Sequence, residues 1–216
     1  MDGRQSRLWL VTVFTNKKGK LEIVLDNLSQ YDIVLASASP RRQELLTQLD
    51  IPFRVMTLDG IDETYPDGLT PEGIARYISS HKAEAYRSNM TPQMLIITAD
   101  TIVSINGEVL GKPRDEDDAV RMLHKLSGMT HQVVTGVTVA TLQRKKTIDV
   151  TTHVTFSTLT EEEITHYVKT FHPLDKAGAY GIQEWIGMAA VENISGSYWN
   201  VMGLPVRQLY RLLKTF

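Results

Sequence analysis

Asp100 is the acid whose setting most needs explaining. It interrupts the apolar run Met94-Leu95-Ile96-Ile97-Thr98-Ala99-Asp100-Thr101-Ile102-Val103. A carboxylate inside a buried strand is costly unless it is paired or bound to a cation. One reading makes Asp100 a turn cap that ends the strand. The other gives it chemistry, and the strand pattern that Thr101-Ile102-Val103 continue favours it. A second centre lies at Ser37-Ala38-Ser39-Pro40-Arg41-Arg42. Ser39 suits an N-cap and Pro40 the first helical position. Arg41 and Arg42 then fall in the first turn, at the positive end of the helix dipole. That end favours anions over cations by roughly 0.3–1 kcal/mol per charge. With an anion present, free N–H groups, serine hydroxyls and two guanidinium groups make a phosphate site. Without one, they are a solvated surface pair, and both readings fit this stretch taken alone.

Other candidates are weaker singly. Asp62 and Glu63 form a loop carboxylate pair, which gains weight if the fold brings it to Asp100, because Mg²⁺ takes one or two carboxylates plus phosphate oxygens and water. Lys112, between Gly111 and Pro113, is placed to reach a phosphate or to sit exposed in a turn, and Lys82 reads alone as a helical surface charge. Gly178, Gly181 and Gln183 can bring backbone and an amide close to a planar base, or serve ordinary turns. None of the six histidines has metal-ligand spacing, and neither a Walker A sequence nor GxSxG occurs.

The elements that must position these residues are legible from periodicity and punctuation. A strand over Ile33–Leu35 leads into a helix over Pro40–Leu49, then a short strand over Pro52–Met56. Thr70-Pro71 opens a helix running to about Ser88. The Met94–Val103 run suggests a central strand buried on both faces. Asn106-Gly107 signals a type I′ hairpin. Asp115 to Asp118 cap a helix that contains Val120, Leu123 and Leu126 and is ended by Gly128. His131–Thr141 and Thr147–Ser157 predict an antiparallel hairpin with a basic tip at Gln143–Lys146, and Thr160-Glu161-Glu162-Glu163 a capping box for the helix Ile164–Thr170. A glycine-rich segment, Asp175–Gly187, precedes a strand over Met188–Val191, a turn at Ser195–Ser197 and a helix over Pro205–Lys214. Alternating elements with several hairpins imply an α/β or α+β protein with a mixed sheet. Residues 1–24 read as a loosely attached arm or non-native extension, with residues 25–216 as the organised domain.

Composition sets the bounds. The chain of 216 residues can bury one substantial core. A net charge of -2 gives no support for general nucleic-acid or membrane-surface binding, so any anion site must be local. With no cysteine, disulfides, thiolate catalysis and cysteine-ligated zinc are excluded, and a cytosolic location is expected.

From about residue 25 onward the chain resembles the Maf family of nucleoside triphosphate pyrophosphatases. The resemblance rests on Ser37–Leu46, Thr98-Ala99-Asp100-Thr101-Ile102-Val103, Leu110-Gly111-Lys112-Pro113, Asp175-Lys176-Ala177-Gly178-Ala179-Tyr180-Gly181-Ile182-Gln183, Gly196-Ser197-Tyr198 and Met202-Gly203-Leu204-Pro205. It implies an elongated α/β fold, with a mixed central sheet flanked by helices and an active cleft between two lobes. It also implies hydrolysis of a nucleoside triphosphate to monophosphate and pyrophosphate, a divalent cation (Mg²⁺ or Mn²⁺), and frequent homodimers. Carried over by motif, Asp100 is the general base; Ser37, Arg41, Arg42, Lys82 and Lys112 hold phosphates; and Asp62, Glu63 and Asp100 hold the metal. Asp62 stands where the family more often has glutamate, so either it or Glu63 is the direct ligand. Arg41, Thr101 and Gln183 match the trio of the subgroup acting on dTTP and UTP. Glu184-Trp185 stand where many relatives have glycine and small residues, and are expected to reshape the base pocket. The alternative is a nucleotide-binding regulator of septum formation acting through partner contacts.

Overall fold

The computed structural model describes residues 25–216 and the backbone of Val13–Phe14. The expected arm over residues 1–24 otherwise lies outside the described residues. Val13–Phe14 is strand β1, followed by β2 (Asp32–Leu35), α1 (Pro40–Gln48), β3 (Phe53–Val55), α2 (Pro71–Ala85), β4 (Met94–Ile105) and β5 (Glu108–Leu110). Then come α3 (Glu116–Leu126), β6 (Thr130–Ala140), β7 (Lys145–Phe156), α4 (Glu161–Phe171), α5 (Trp185–Ala190), β8 (Val191–Ser195), α6 (Tyr198–Val201) and α7 (Val206–Leu213). The described strands form one eight-stranded sheet in the order β1-β3-β2-β4-β6-β7-β8, with β5 also on β4. The pairs β2–β3 and β2–β4 are parallel and the others antiparallel, so the sheet is mixed, as expected.

The expected caps form. Ser39 accepts from the Arg42 N–H at 3.5 Å and Thr70 from Gly73 at 3.2 Å. Asp115 accepts from Asp118 at 2.7 Å, and Thr160 with Glu163 makes a complete capping box. Asn106 and Gly107 both have positive φ, 51° and 81°, as a type I′ turn requires.

Strand β4 is buried along almost its whole length, and its two faces meet different partners. Leu95, Ile97, Ala99, Val103 and Ile105 join the main core with Leu45 and Leu46 of α1. Ile96 and Ile102 face the other way into clusters containing Ala83 and Ile78 of α2, and Thr98 there donates to the Ser79 carbonyl at 2.7 Å. Helix α2 lies hard on this face. A Cβ on Gly136 of β6, the partner of Asp100 across the sheet, would meet the Ala75 carbonyl oxygen at 2.1 Å. Helices α1 and α2 thus leave the neighbouring strands β2 and β3 on opposite faces. In a parallel sheet this opens a crevice beyond the carboxyl ends of the strands.

The same point is a gap in the ladder. β2 pairs with β4 only as far as Leu35 opposite Ile97, and β5 begins at Val103 opposite Leu110. From Thr98 to Ile102 that edge of β4 has no strand beside it.

Two sequence expectations change. Met188–Val191 is not a strand: α5 covers Trp185–Ala190 and β8 starts at Val191. Ile182, Ile186 and Ala190 recur every four residues and are all buried, a helical rhythm that the apolar Met188-Ala189-Ala190 obscured. The hairpin tip is also shorter than expected. Lys145 and Lys146 already pair with Ala140 and Val139, and the Thr141 hydroxyl ties the loop by accepting from the Arg144 N–H at 3.1 Å.

Candidate active site

A cleft of about 880 Å³ opens where β4 has lost its neighbour. One wall comes from Ser37 to Arg42, the loop around Leu58–Tyr65 and Lys82 of α2, and the other from Lys112, Asp175–Gln183 and Met202-Gly203.

Asp100 points to the α2 face of β4 and is 8% exposed. The Lys82 ammonium donates to its Oδ1 at 2.7 Å and lies 2.9 Å from Glu63 Oε1. The buried acid therefore has the partner that burial demands, and two carboxylates converge on one cation position. Partial burial raises the Glu63 pKa, but the Lys82 hydrogen bond and charge, with Lys112 and Arg42 behind them, hold it below the usual range.

The two arginines of α1 do different work. Arg41 reaches across to Asp175 at 3.2 Å. Arg42 turns under the sheet edge: Nε donates to the Gly203 carbonyl at 2.8 Å, Nη1 to Ala99 at 2.9 Å and Nη2 to Thr101 Oγ1 at 3.1 Å. Enclosure lowers its pKa, partly offset by the Asp100 charge; a guanidinium stays protonated regardless. The Thr101 hydroxyl is committed too. Thr135 donates to the Asn200 carbonyl at 3.1 Å, so Thr101 donates to Thr135 at 2.9 Å while accepting from Arg42. Arg42 thus bolts the bare edge of β4 to the turn between α6 and α7.

A family model described as "Maf-like protein" matches residues 32–216. The chain belongs to the Maf-like protein family. A "dTTP/UTP pyrophosphatase" of Phocaeicola vulgatus is 58% identical over 191 residues, spanning 88% of this chain and 99% of the relative. Proteins of the same name from Bacteroides fragilis and Porphyromonas gingivalis are 54% and 52% identical, each over 88–89% of this chain and 98–99% of the relative. A solved HAM1 protein structure from Coxiella burnetii is similar over 58% of this chain and 73% of that chain, at 14% identity and a TM-score of 0.38. Among the described residues, no helix is long and apolar enough to cross a membrane.

In this Maf-like protein, Ser37, Arg41, Arg42, Lys82, Asp100, Thr101, Lys112 and Gln183 all line the cleft. Asp62 does not. Its two oxygens accept from the Thr64 N–H at 2.9 Å and the Thr64 hydroxyl at 2.8 Å, which lower its pKa. Of the two loop acids only Glu63 faces the cleft, so the metal set expected from the sequence is not assembled as a trio. Among the described residues no group of three or more His, Asp or Glu side chains is placed to hold a metal ion. Glu184 and Trp185 likewise do not line the cleft. Glu184 turns in to Tyr167 and Lys176, and Trp185 packs edge-on to His166 with ring centroids 5.2 Å apart. Sequence reasoning missed Lys176 as a cleft residue, although it lies inside the glycine-rich motif.

Proposed function

We propose that this Maf-like protein hydrolyses dTTP and UTP, with modified pyrimidine nucleotides as further substrates, to the monophosphate and pyrophosphate. The observation that carries the reading is Asp100 held by Lys82 at the open edge of β4, inside a cleft lined by further cations. Relatives spanned almost end to end by this chain bear that activity in their names. A protein that only binds nucleotide has no need of a buried carboxylate beside phosphates, so nothing favours the regulator reading.

The donor set fits a divalent cation. Glu63 and Asp100 already share one positive group, and Mg²⁺ needs no more than two carboxylates when phosphate oxygens and water complete its shell. Glu63 and Asp100 would hold Mg²⁺ or Mn²⁺, which when bound neutralises phosphate charge and makes water more acidic. The triphosphate lies along the start of α1, where Ser37 and Arg41 line the cleft. Lys82 spends two of its three N–H groups on Glu63 and Asp100, leaving one for a phosphate oxygen, and Lys112 approaches from the other wall. Asp100 takes a proton from water as the water oxygen attacks the α-phosphorus. The bond from that phosphorus to the α–β bridging oxygen breaks, and pyrophosphate leaves. A positioned base contributes ~10²–10⁴-fold, with electrostatic stabilisation supplying much of the rest.

The test is product identification after incubation with a panel of nucleoside triphosphates and Mg²⁺ or Mn²⁺. Monophosphate and pyrophosphate from dTTP and UTP are expected. Orthophosphate as the first product, or no turnover of either pyrimidine, overturns the reading.

A further inference from the structure

The glycine-rich wall holds a buried cation that the hydrolytic step does not use. Lys176 is 8% exposed, yet it lines the cleft. Its ammonium donates to Asp175 Oδ1 at 2.6 Å and lies 3.1 Å from Glu184 Oε1. The other Glu184 oxygen accepts from the Tyr167 hydroxyl, which itself accepts from the Gly181 N–H at 3.0 Å. The backbone closes tightly around this group: a Cβ on Gly181 would stand 2.8 Å from Glu184 Cδ and 3.0 Å from Lys176 Cε. A lysine is normally a flexible point charge. Here two carboxylates clamp it, and one of its three N–H groups remains for a ligand.

Charge decides which part of the ligand it meets. Asp175, Lys176 and Glu184 carry one net negative charge, and Arg41 on Asp175 brings this wall to neutrality. Lys82, Lys112 and Arg42 gather around Glu63 and Asp100 and hold the Glu63 pKa down. Phosphates belong with these cations, and a neutral part of the nucleotide belongs against Lys176.

We propose that Lys176 reads the pyrimidine base, donating its free N–H to the C4 carbonyl of uracil or thymine and rejecting cytosine, whose C4 amine is itself a donor. The inference rests on dTTP and UTP being the substrates. An ammonium has no acceptor and cannot be turned to suit cytosine, whereas the exposed Gln183 amide offers both a donor and an acceptor and suits either base by rotation. The fixed group is therefore the one that discriminates. Asp175 and Glu184 are positioning residues for it. Thymine and uracil share the carbonyl, so one donor serves both.

The experiment measures binding of the α,β-methylene analogues of UTP and CTP by calorimetry, with Mg²⁺, to wild type, Lys176→Met and Glu184→Gln, alongside kcat/KM on UTP and CTP. Wild type is expected to favour the uridine analogue by about 10- to 100-fold, the scale of one hydrogen bond to a charged group. Lys176→Met abolishes the preference by weakening uridine binding alone. Glu184→Gln keeps an oxygen for Tyr167 but loosens the ammonium, and lowers the preference partway. A wild type without preference, or a Lys176→Met protein that weakens both analogues equally, overturns the inference. Should Lys176→Met fail to fold, an unchanged preference in Glu184→Gln overturns it. A wild type that prefers the uridine analogue yet releases no pyrophosphate from UTP refutes the hydrolytic reading instead, and leaves base recognition standing.

Discussion

Replacing Arg42 by methionine separates the two adjacent arginines of α1 most sharply. Methionine keeps the stem and removes three hydrogen bonds, to the carbonyls of Gly203 and Ala99 and to the Thr101 hydroxyl. A hydrogen bond to a charged group contributes about 1.5–3 kcal/mol, and an abandoned buried acceptor costs about 1–3 kcal/mol. Cleft water re-satisfies part of the loss, so the net destabilisation is about 3–5 kcal/mol, a large fraction of the roughly 5–15 kcal/mol that holds a domain together. Arg41→Met removes a single ion pair whose acid is 62% exposed, and costs about 0–1 kcal/mol. Urea unfolding followed by tryptophan fluorescence gives both numbers, with equal m-values required for a like-for-like comparison. Arg42→Lys should recover little, because one ammonium cannot reach three divergent acceptors. If Arg42→Met and Arg41→Met shift the midpoint equally, Arg42 is not the bolt at the strand edge.

Three further outcomes are expected. Asp100→Asn keeps an oxygen for Lys82 and so should fold and bind nucleotide, while turnover falls by ~10²–10⁴-fold; near-normal pyrophosphate release would remove Asp100 from the base role. Glu63→Ala should raise the metal concentration for half-maximal activity by at least about 10-fold, and Asp62→Ala should leave it where it was; the reverse order would move the ligand to Asp62. His131 is buried beside Phe156, with Nε2 2.8 Å from the Tyr180 hydroxyl and Nδ1 without a partner, and burial pushes its pKa down to about 4. Between that value and the ordinary 6.5 the unfolded chain binds a proton the folded one refuses, so stability is full above pH 6.5 and falls with pH, by about 3 kcal/mol in all near pH 4. His131→Gln should flatten that limb of the stability–pH curve, and an unchanged slope would assign it to other groups.

Much of this was legible beforehand, because the signals were local. The acid-bearing apolar run is β4, and Thr160 with Glu163 caps α4 as read. What stayed hidden was side-chain direction. Arg41 and Arg42 look alike in sequence, yet successive helical residues point about 100° apart. Arg42 lies three and four residues before the buried Leu45 and Leu46, which is the signal that it turns inward. The direction of Asp62 is hidden for a similar reason. Asp-x-Thr readily closes an Asx turn on its own backbone, and that turn took the carboxylate. The pairing of Lys176 with Glu184 could not be read, because it depends on how the backbone folds around Gly181.

The missing strand beside Thr98–Ile102 carries a consequence of another kind. A bare edge in the middle of a sheet is a template on which a second chain can add a strand, the usual beginning of aggregation. Here Arg42 already occupies the Ala99 carbonyl, and the side chains lining the gap carry charge. The charged groups of the cleft therefore also act as gatekeepers, and substitutions that remove them are expected to leave a stickier protein.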